Sequence, residues 1–431
     1  MQYSIPDYYK EFHCIASQCE ETCCAGWQIM IDKKSLKKYI HTKSPYRWTL
    51  LRGIDFLHGA FRQKKEKRCF FLNENNLCNL YSNLGESALC KTCKNYPRHI
   101  EEFEDVREIT LSVSCPEAAR IPLSKTEPVR FLTYEKPGTE EYDNFDPFLY
   151  SMLLDCREEM YHILQDRSLS LWTRTVLILG MTHDIQTRID QENVFDCQNV
   201  ITRYQNPGAA KKAASIHFGE AEFSFQHSML KSLHRLEVLN EHWPDLLLET
   251  EAILYRNRTG HYKEACRAFR DNKVLIQLEQ ILVYCISTYF CGAVYDGEVL
   301  AKAQMSAVCT GQIFDLWLAR YIENGNVISE EEKIGTVEFQ KQKPTIMVRI
   351  LHLESLLRLL KTKAGEQIDC SFAVLDSILT QNSRVWKLQS SPIGESEEGE
   401  EAVKEADVAR EVEKQRMSDC ETKIYVRETE D

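Results

Sequence analysis

Residues 14–27 read Cys14-Ile-Ala-Ser-Gln-Cys19-Glu-Glu-Thr-Cys23-Cys24-Ala-Gly26-Trp27, and residues 90–98 read Cys90-Lys-Thr-Cys93-Lys-Asn-Tyr96-Pro97-Arg98. Between them the spacing is Cys69-x8-Cys78-x11-Cys90, and Cys115 follows in Ser114-Cys115-Pro116-Glu117. Nine of the 17 cysteines therefore fall in the first 115 of 431 residues, and the other eight are spread over the remaining 316. The opening Met1-Gln-Tyr-Ser-Ile-Pro-Asp-Tyr-Tyr-Lys10 has neither a basic n-region nor an apolar h-region, so a cytoplasmic location is expected. There thiols stay reduced, and clustered cysteines read as metal ligands rather than as a disulfide framework. A C-x2-C knuckle brings two sulfurs onto one ion from a tight turn, which suits zinc and an iron–sulfur cluster equally. Adjacent Cys23 and Cys24 point apart, so either one ligates while the other packs, or each serves a different site. Nine thiols are enough for two four-cysteine sites with one left over, and spacing does not assign them.

Around these cysteines the chain is β-prone and irregular. Cys69–Leu72 and Leu77–Tyr81 flank the turn formers Asn73–Asn76 like the arms of a hairpin, and Val106, Ile109, Leu111 and Val113 suggest a further strand. After Cys115, Pro116 and Glu117 fit the first turn of a helix. Four prolines in residues 121–147, with Pro137-Gly138 as a turn, predict a connector on the surface. Beyond it the period becomes helical. Phe148, Leu149, Met152, Leu153, Cys156, Met160, Ile163 and Leu164 share one face, and similar faces recur over residues 171–185, 223–239, 274–295, 313–322 and 348–360. Residues 204–217, with Asn206-Pro207-Gly208, read as a loop. The expected fold is mainly α. It comprises a cysteine-rich metal-binding domain with short strands (1–120), a connector (121–147), a bundle of about six to nine helices (148–390) and an acidic mobile tail (391–431).

Charge excludes some functions. The chain carries a net −12; residues 1–100 hold 16 Lys+Arg against 9 Asp+Glu, and residues 391–431 hold 6 against 14. Such a balance disfavours a general nucleic-acid binder, which needs a dense basic face. The block Lys64, Lys65, Lys67, Arg68 before Cys69 is either a solvated face or an offset for nearby thiolates. The longest uncharged apolar-rich run, residues 280–295, has 16 residues. A bilayer span needs about 20, so a buried helix and no membrane span are expected.

Tyr8-Tyr9 with Phe12, the Cys23-Cys24-Ala-Gly26-Trp27 block, the Cys90–Arg98 block and Cys115-Pro116-Glu117 together resemble the flagellin lysine-N-methylase family. The resemblance covers roughly residues 6–120. It implies methyl transfer from S-adenosylmethionine to lysine ε-amino groups of flagellin. It also implies a 4Fe–4S cluster held by some of Cys14, Cys19, Cys23, Cys24, Cys69, Cys78, Cys90, Cys93 and Cys115. The cysteine pattern alone fits two other readings, a non-catalytic iron- or zinc-chelating protein and an interaction module stabilised by zinc. No glycine-rich strand–turn–helix loop of the Rossmann type is present, nor a C-x3-C-x2-C triplet.

Three residues outside the thiols are candidates for the chemistry. A lysine side chain with a free pKa near 10.4 must lose its proton before it attacks a methyl group, which calls for a desolvating site or a base. Glu279, inside the apolar run 274–295, is the best-placed carboxylate, against its plain reading as a paired or exposed helix charge. Tyr96 and Arg98 follow the cysteine knuckle directly. Arg98 suits a cofactor carboxylate and suits a structural ion pair as well. His13 and His99 adjoin the cysteine motifs and rank below every cysteine as ligands.

Overall fold

The computed structural model describes residues 1–337, apart from 20–21, 143–144, 217–219, 235–241 and 257–258. The helix expected over 348–360 and the acidic tail lie outside the described residues. A four-stranded sheet organises the front of the chain. Its strands are β1 (Gln2–Pro6), β4 (Arg98–Phe103), β5 (Val106–Leu111) and β6 (Phe131–Glu135), in the order β4-β5-β1-β6, while β2 (Ile54–Asp55) and β3 (Ala60–Phe61) form a separate small hairpin. β1 runs parallel to β5, with Gln2 opposite Val106, and antiparallel to β6, with Tyr3 opposite Tyr134. β4 and β5 are a tight antiparallel hairpin whose turn puts Glu104 at φ 45°, in the left-handed region.

Everything between β1 and β4 is one long excursion from this sheet. It carries four short helices, α1 (Lys33–Ile40), α2 (Arg47–Arg52), α3 (Asn79–Leu84) and α4 (Lys91–Asn95). They close over a small core of Ile29, Ile31, Tyr39, Leu50, Phe61, Phe71, Leu72 and Leu80, to which Cys69 and Cys90 also belong. Gly53 sits where Phe71 and Phe70 come close, so an added Cβ would lie 2.3 Å from Phe71 Cζ. The expected second hairpin arm is only partly formed. Leu72 bridges Cys78, and then the chain turns helical as α3. The Asn73 side-chain oxygen accepts from the Asn75 and Leu77 amides, closing a local turn that leaves too few residues for a ladder.

After β5, α5 (Pro116–Ser124) starts with Cys115 at its cap and Pro116 in the first turn. The expected connector holds the buried last turn of this helix and strand β6, whose side chains are mostly exposed. The helical part follows as α6 (Pro147–Gln165), α7 (Leu171–Asp190), α8 (Cys197–Tyr204), α9 (Pro207–Ala214), α10 (Glu220–Leu233), α11 (Trp243–Tyr255), α12 (Thr259–Phe269), α13 (Asn272–Tyr289), α14 (Ala293–Asp296), α15 (Val299–Glu323) and α16 (Glu330–Val337). Residues 204–217 are therefore no loop. Asn206 caps α9 through its side-chain oxygen on the Gly208 amide, and Pro207 takes the first helical position, a start signal that also reads as a turn. Two cores fill this part. One joins α6, α7 and α8 to the sheet; the other joins α10–α13, α15 and α16 to α5. The segment Asn272–Asp296 is long and apolar enough to cross a membrane by length and composition, and 83% of its most apolar window is buried inside the fold, as a core helix requires.

One carboxylate ties the cysteine-rich excursion together. Asp32 caps α1 by accepting from Ser35 N (2.9 Å) and, with its other oxygen, accepts from Lys91 N at the start of α4 (2.8 Å). Burial pushes its pKa up, but the backbone donors from Lys91 and Ser35 outweigh that and hold it below the ordinary value. A depressed folded-state pKa gives stability that is present above the unfolded value of about 3.9 and is lost as pH falls through the folded value. Asp32→Ala is therefore expected to cost about 1–2 kcal/mol at pH 7 by chemical denaturation. The gap to the unsubstituted protein should close as the pH is taken below about 4.

Candidate metal centre

Five of the front thiols share one small core. Cys69 and Cys90 are buried in the small core, and Cys24, Cys78 and Cys93 pack half-buried against it. Backbone pairing places them: Cys69 N donates to Cys24 O (2.7 Å), and Leu72 bridges Cys78. Cys90 caps α4, so Cys93 sits within its first turn. The knuckle is pinned from the other side by Met30, whose carbonyl accepts from Thr92 Oγ1 at 2.9 Å and from Cys90 Sγ at 3.7 Å. No disulfide involves Cys14, Cys24, Cys69, Cys78, Cys90, Cys93 or Cys115.

Burial and neighbouring thiols perturb their proton affinities. The hydrogen bond between Cys93 and Cys90 lowers the pKa of Cys90 and, together with burial, raises that of Cys93. Burial pushes Cys69 up to about 11, with the charges of Cys78 and Cys90 adding to it and Lys64 opposing it. Lys64 Nζ itself donates to Leu72 O at 2.8 Å. Cys78 is raised by burial and feels Cys23 as well as Cys90. Cys115 is pushed up to about 11 by burial and feels Cys19 and Cys23. Cys23 is thus common to two groups, one around Cys69, Cys78 and Cys90 and one around Cys115. Cys14 is exposed.

Soft thiolate donors in such number suit zinc or an iron–sulfur cluster. Yet among the described residues no three Cys, His, Asp or Glu side chains stand in an arrangement that could hold a metal ion. The donor chemistry fits a thiolate-bound metal; a closed ligand set is not formed. The two histidines make other contacts. His13 Nδ1 lies 2.9 Å from Glu11 O, and His99 Nε2 lies 2.6 Å from Glu101 Oε1.

Tyr96 lies beside the cysteine motifs and Arg98 beside Tyr9 and Phe12, whereas Glu279 is placed elsewhere. The Tyr96 hydroxyl donates to Ser114 O (3.0 Å), beside Cys115, and its ring lies 6.1 Å from that of Trp27. Trp27 Nε1 in turn donates to Cys23 O at 2.9 Å. Glu279 is fully buried on α13 beneath two arginines. Arg174 Nη1 donates to Oε2 at 2.6 Å and Arg167 Nη2 to Oε1 at 2.8 Å, with Arg167 Nε adding contacts at 3.1 and 3.2 Å. A carboxylate so committed joins α13 to α7 and has little capacity left for a substrate amine. Trp27, Tyr9, Phe12 and Met30 shape the site without having drawn a role from the sequence; the only signal was that three of them stood inside the motif blocks.

Comparison with known proteins then extends the family signature beyond the cysteines. The FliB lysine N-methylase C-terminal domain family matches residues 157–366. The chain is 32% identical over 124 residues to the lysine-N-methylase of Salmonella typhimurium, covering 26% of this chain and 30% of that protein. The lysine-N-methylase of Salmonella choleraesuis matches to the same extent. To the flagellar biosynthetic protein FliU of Salmonella muenchen the identity is 32% over 120 residues, 26% of this chain and 71% of that protein. No solved structure matches the chain. The chain belongs to the flagellin lysine-N-methylase family.

Glu279→Ala would leave Arg174, itself buried, without its carboxylate. Breaking a buried pair of this kind is expected to cost about 3–5 kcal/mol, read as a lowered denaturation midpoint. Glu279→Gln should cost less, since the amide oxygen still accepts.

Proposed function

We propose that this protein is a lysine N-methyltransferase that transfers methyl groups from S-adenosylmethionine to ε-amino groups of flagellin in the cytoplasm, using a metal centre held by the front cysteines. The observation that carries this reading is the pairing of two features in one chain. Residues 157–366 match the FliB lysine N-methylase domain, and five thiols lie in or against a small core of their own. The curated relatives named lysine-N-methylase are matched over about a third of their length, so the transfer of activity and substrate rests on family membership together with that patch.

Cys69, Cys78, Cys90 and Cys93, with Cys24 beside them, are the residues that would hold a 4Fe–4S cluster or zinc. Held there by only three of these thiolates, a cluster would supply a Lewis-acid iron, whereas zinc held by four would supply a fixed structural node. The chain's own contribution is electrostatic. The Lys64 charge offsets part of the burial that raises the Cys69 thiol, and backbone amides at the start of α4 favour the Cys90 thiolate. Burial in this core also favours a second reading, in which zinc only stabilises the excursion as a folded module.

Two measurements separate the readings. Iron, acid-labile sulfide and zinc are assayed in protein purified without oxygen, and flagellin is incubated with that protein and S-adenosylmethionine and mapped by mass spectrometry. Iron with sulfide and methylated flagellin lysines are the expected result. Stoichiometric zinc with unmodified flagellin would leave only the structural module. Joint replacement of Cys90 and Cys93 by Ser is expected to abolish metal binding, and unchanged metal content would remove the knuckle from the ligand set.

A further inference from the structure

Arg98 opens β4, at the edge of the sheet, and is exposed. Its guanidinium carbon lies 6.0 Å from the Tyr9 ring centre and 5.7 Å from that of Phe12, and its Nε donates to the Tyr9 hydroxyl at 3.1 Å. Other arginines of this fold meet carboxylates: Arg107 meets Glu102 and Glu140, Arg157 meets Glu108, and Arg167 and Arg174 meet Glu279. Arg98 instead meets a phenol and two rings. Among the described residues no carboxylate is within ion-pair distance of it, which removes the structural ion pair as its role there. A guanidinium resting on aromatic faces is weakly hydrated and fixed in plane, and its two Nη groups form the fork that takes a carboxylate bidentately.

The setting is specific. Tyr9, Phe12 and Tyr96 pack against the core of the sheet and α6–α8, while Trp27 packs against the cysteine-rich core, so the Trp27–Tyr96 ring pair lies on the seam between the two. Backbone of two cysteine motifs flanks this seam: the Cys23 carbonyl accepts from Trp27, and the Ser114 carbonyl next to Cys115 accepts from Tyr96. All four rings are half-exposed. Partly open rings beside an unpaired fork provide stacking surface for a nucleobase, π-faces for a cation, and a carboxylate anchor.

We propose that Arg98 binds the α-carboxylate of an amino-acid-bearing nucleoside, with Tyr9 as the residue that positions it. This inference rests on the methyl-transfer reading and specifies how this chain holds the cofactor: by its amino-acid end at the seam, with the adenosine along Trp27 and Tyr96. The arrangement makes affinity depend on the carboxylate, and it accounts for recognition without a glycine-rich loop.

The test is calorimetric binding to the full-length protein, as purified with its metal, of three ligands: S-adenosylmethionine, S-adenosylhomocysteine and 5′-methylthioadenosine, which lacks the amino-acid part. Arg98→Gln is expected to weaken the first two by about 10- to 100-fold, the range of a charge-assisted hydrogen-bond pair. Methylthioadenosine should bind the variant and the unsubstituted protein alike. Arg98→Lys should fall between, because a point charge cannot fork, and Tyr9→Phe should weaken the carboxylate ligands by a few-fold only. If the unsubstituted protein binds the two carboxylate ligands and Arg98→Gln binds them equally well, or if the variant loses methylthioadenosine in parallel, the assignment of Arg98 is overturned and methyl transfer stands. If the unsubstituted protein binds none of the three, the cofactor reading falls together with it.

Discussion

The long excursion between β1 and β4 starts and ends on one sheet, and most of what is distinctive about this protein depends on that closure. β1 is an inner strand, held parallel by β5 and antiparallel by β6, while β4 lies at the edge beside β5. The chain must therefore leave from near the centre of the sheet and return to its rim. The two ends of the excursion meet there: Tyr9 and Phe12, just past β1, touch Arg98, the first residue of β4. The same closure brings Cys115, after β5, toward Cys19 and Cys23, which belong to the excursion.

Inside the excursion, apolar burial is modest and polar ties carry much of the definition. Its core has about a dozen buried residues, two of them cysteines. Asp32 joins two helix starts, the Tyr39 hydroxyl donates to Ala88 O at 2.7 Å, and Asn73 closes the turn before Cys78. A thiol in such a core is pulled two ways. Burial favours the neutral S–H, as at Cys69 and Cys115, while a neighbouring donor favours the thiolate, as at Cys90. A thiolate-bound metal would resolve that conflict by replacing protons with one shared cation.

The helical part meets a different constraint, since charges inside it are matched rather than removed. Glu279 sits beneath Arg167 and Arg174, Glu108 pairs with Arg157 between sheet and helices, and Asp315 accepts from Tyr255 and from Tyr262. Such pairs specify which helix faces meet more than they add stability. They also explain why a carboxylate in an apolar helix is an ambiguous sign: the sequence places Glu279 among apolar residues, but its two partners lie more than a hundred positions away.

The helical class of the second part, the helices around residues 148–164, 171–185 and 274–289, and the thiol-rich front were legible in the sequence, because apolar period and residue spacing are local properties. The cap at Asn206 and the strand β1 were not read, for different reasons. Asn-Pro-Gly is as good a turn as a helix start, and Gln2–Pro6 becomes a strand only through partners about a hundred or more residues away. The sequence likewise determined that thiols, Tyr96 and Arg98 occur close together along the chain. Tertiary structure alone decided that Arg98 faces two rings and a phenol while Glu279 faces two guanidinium groups, because the partner of a charge is set by which distant segments the fold brings within a few ångströms of it.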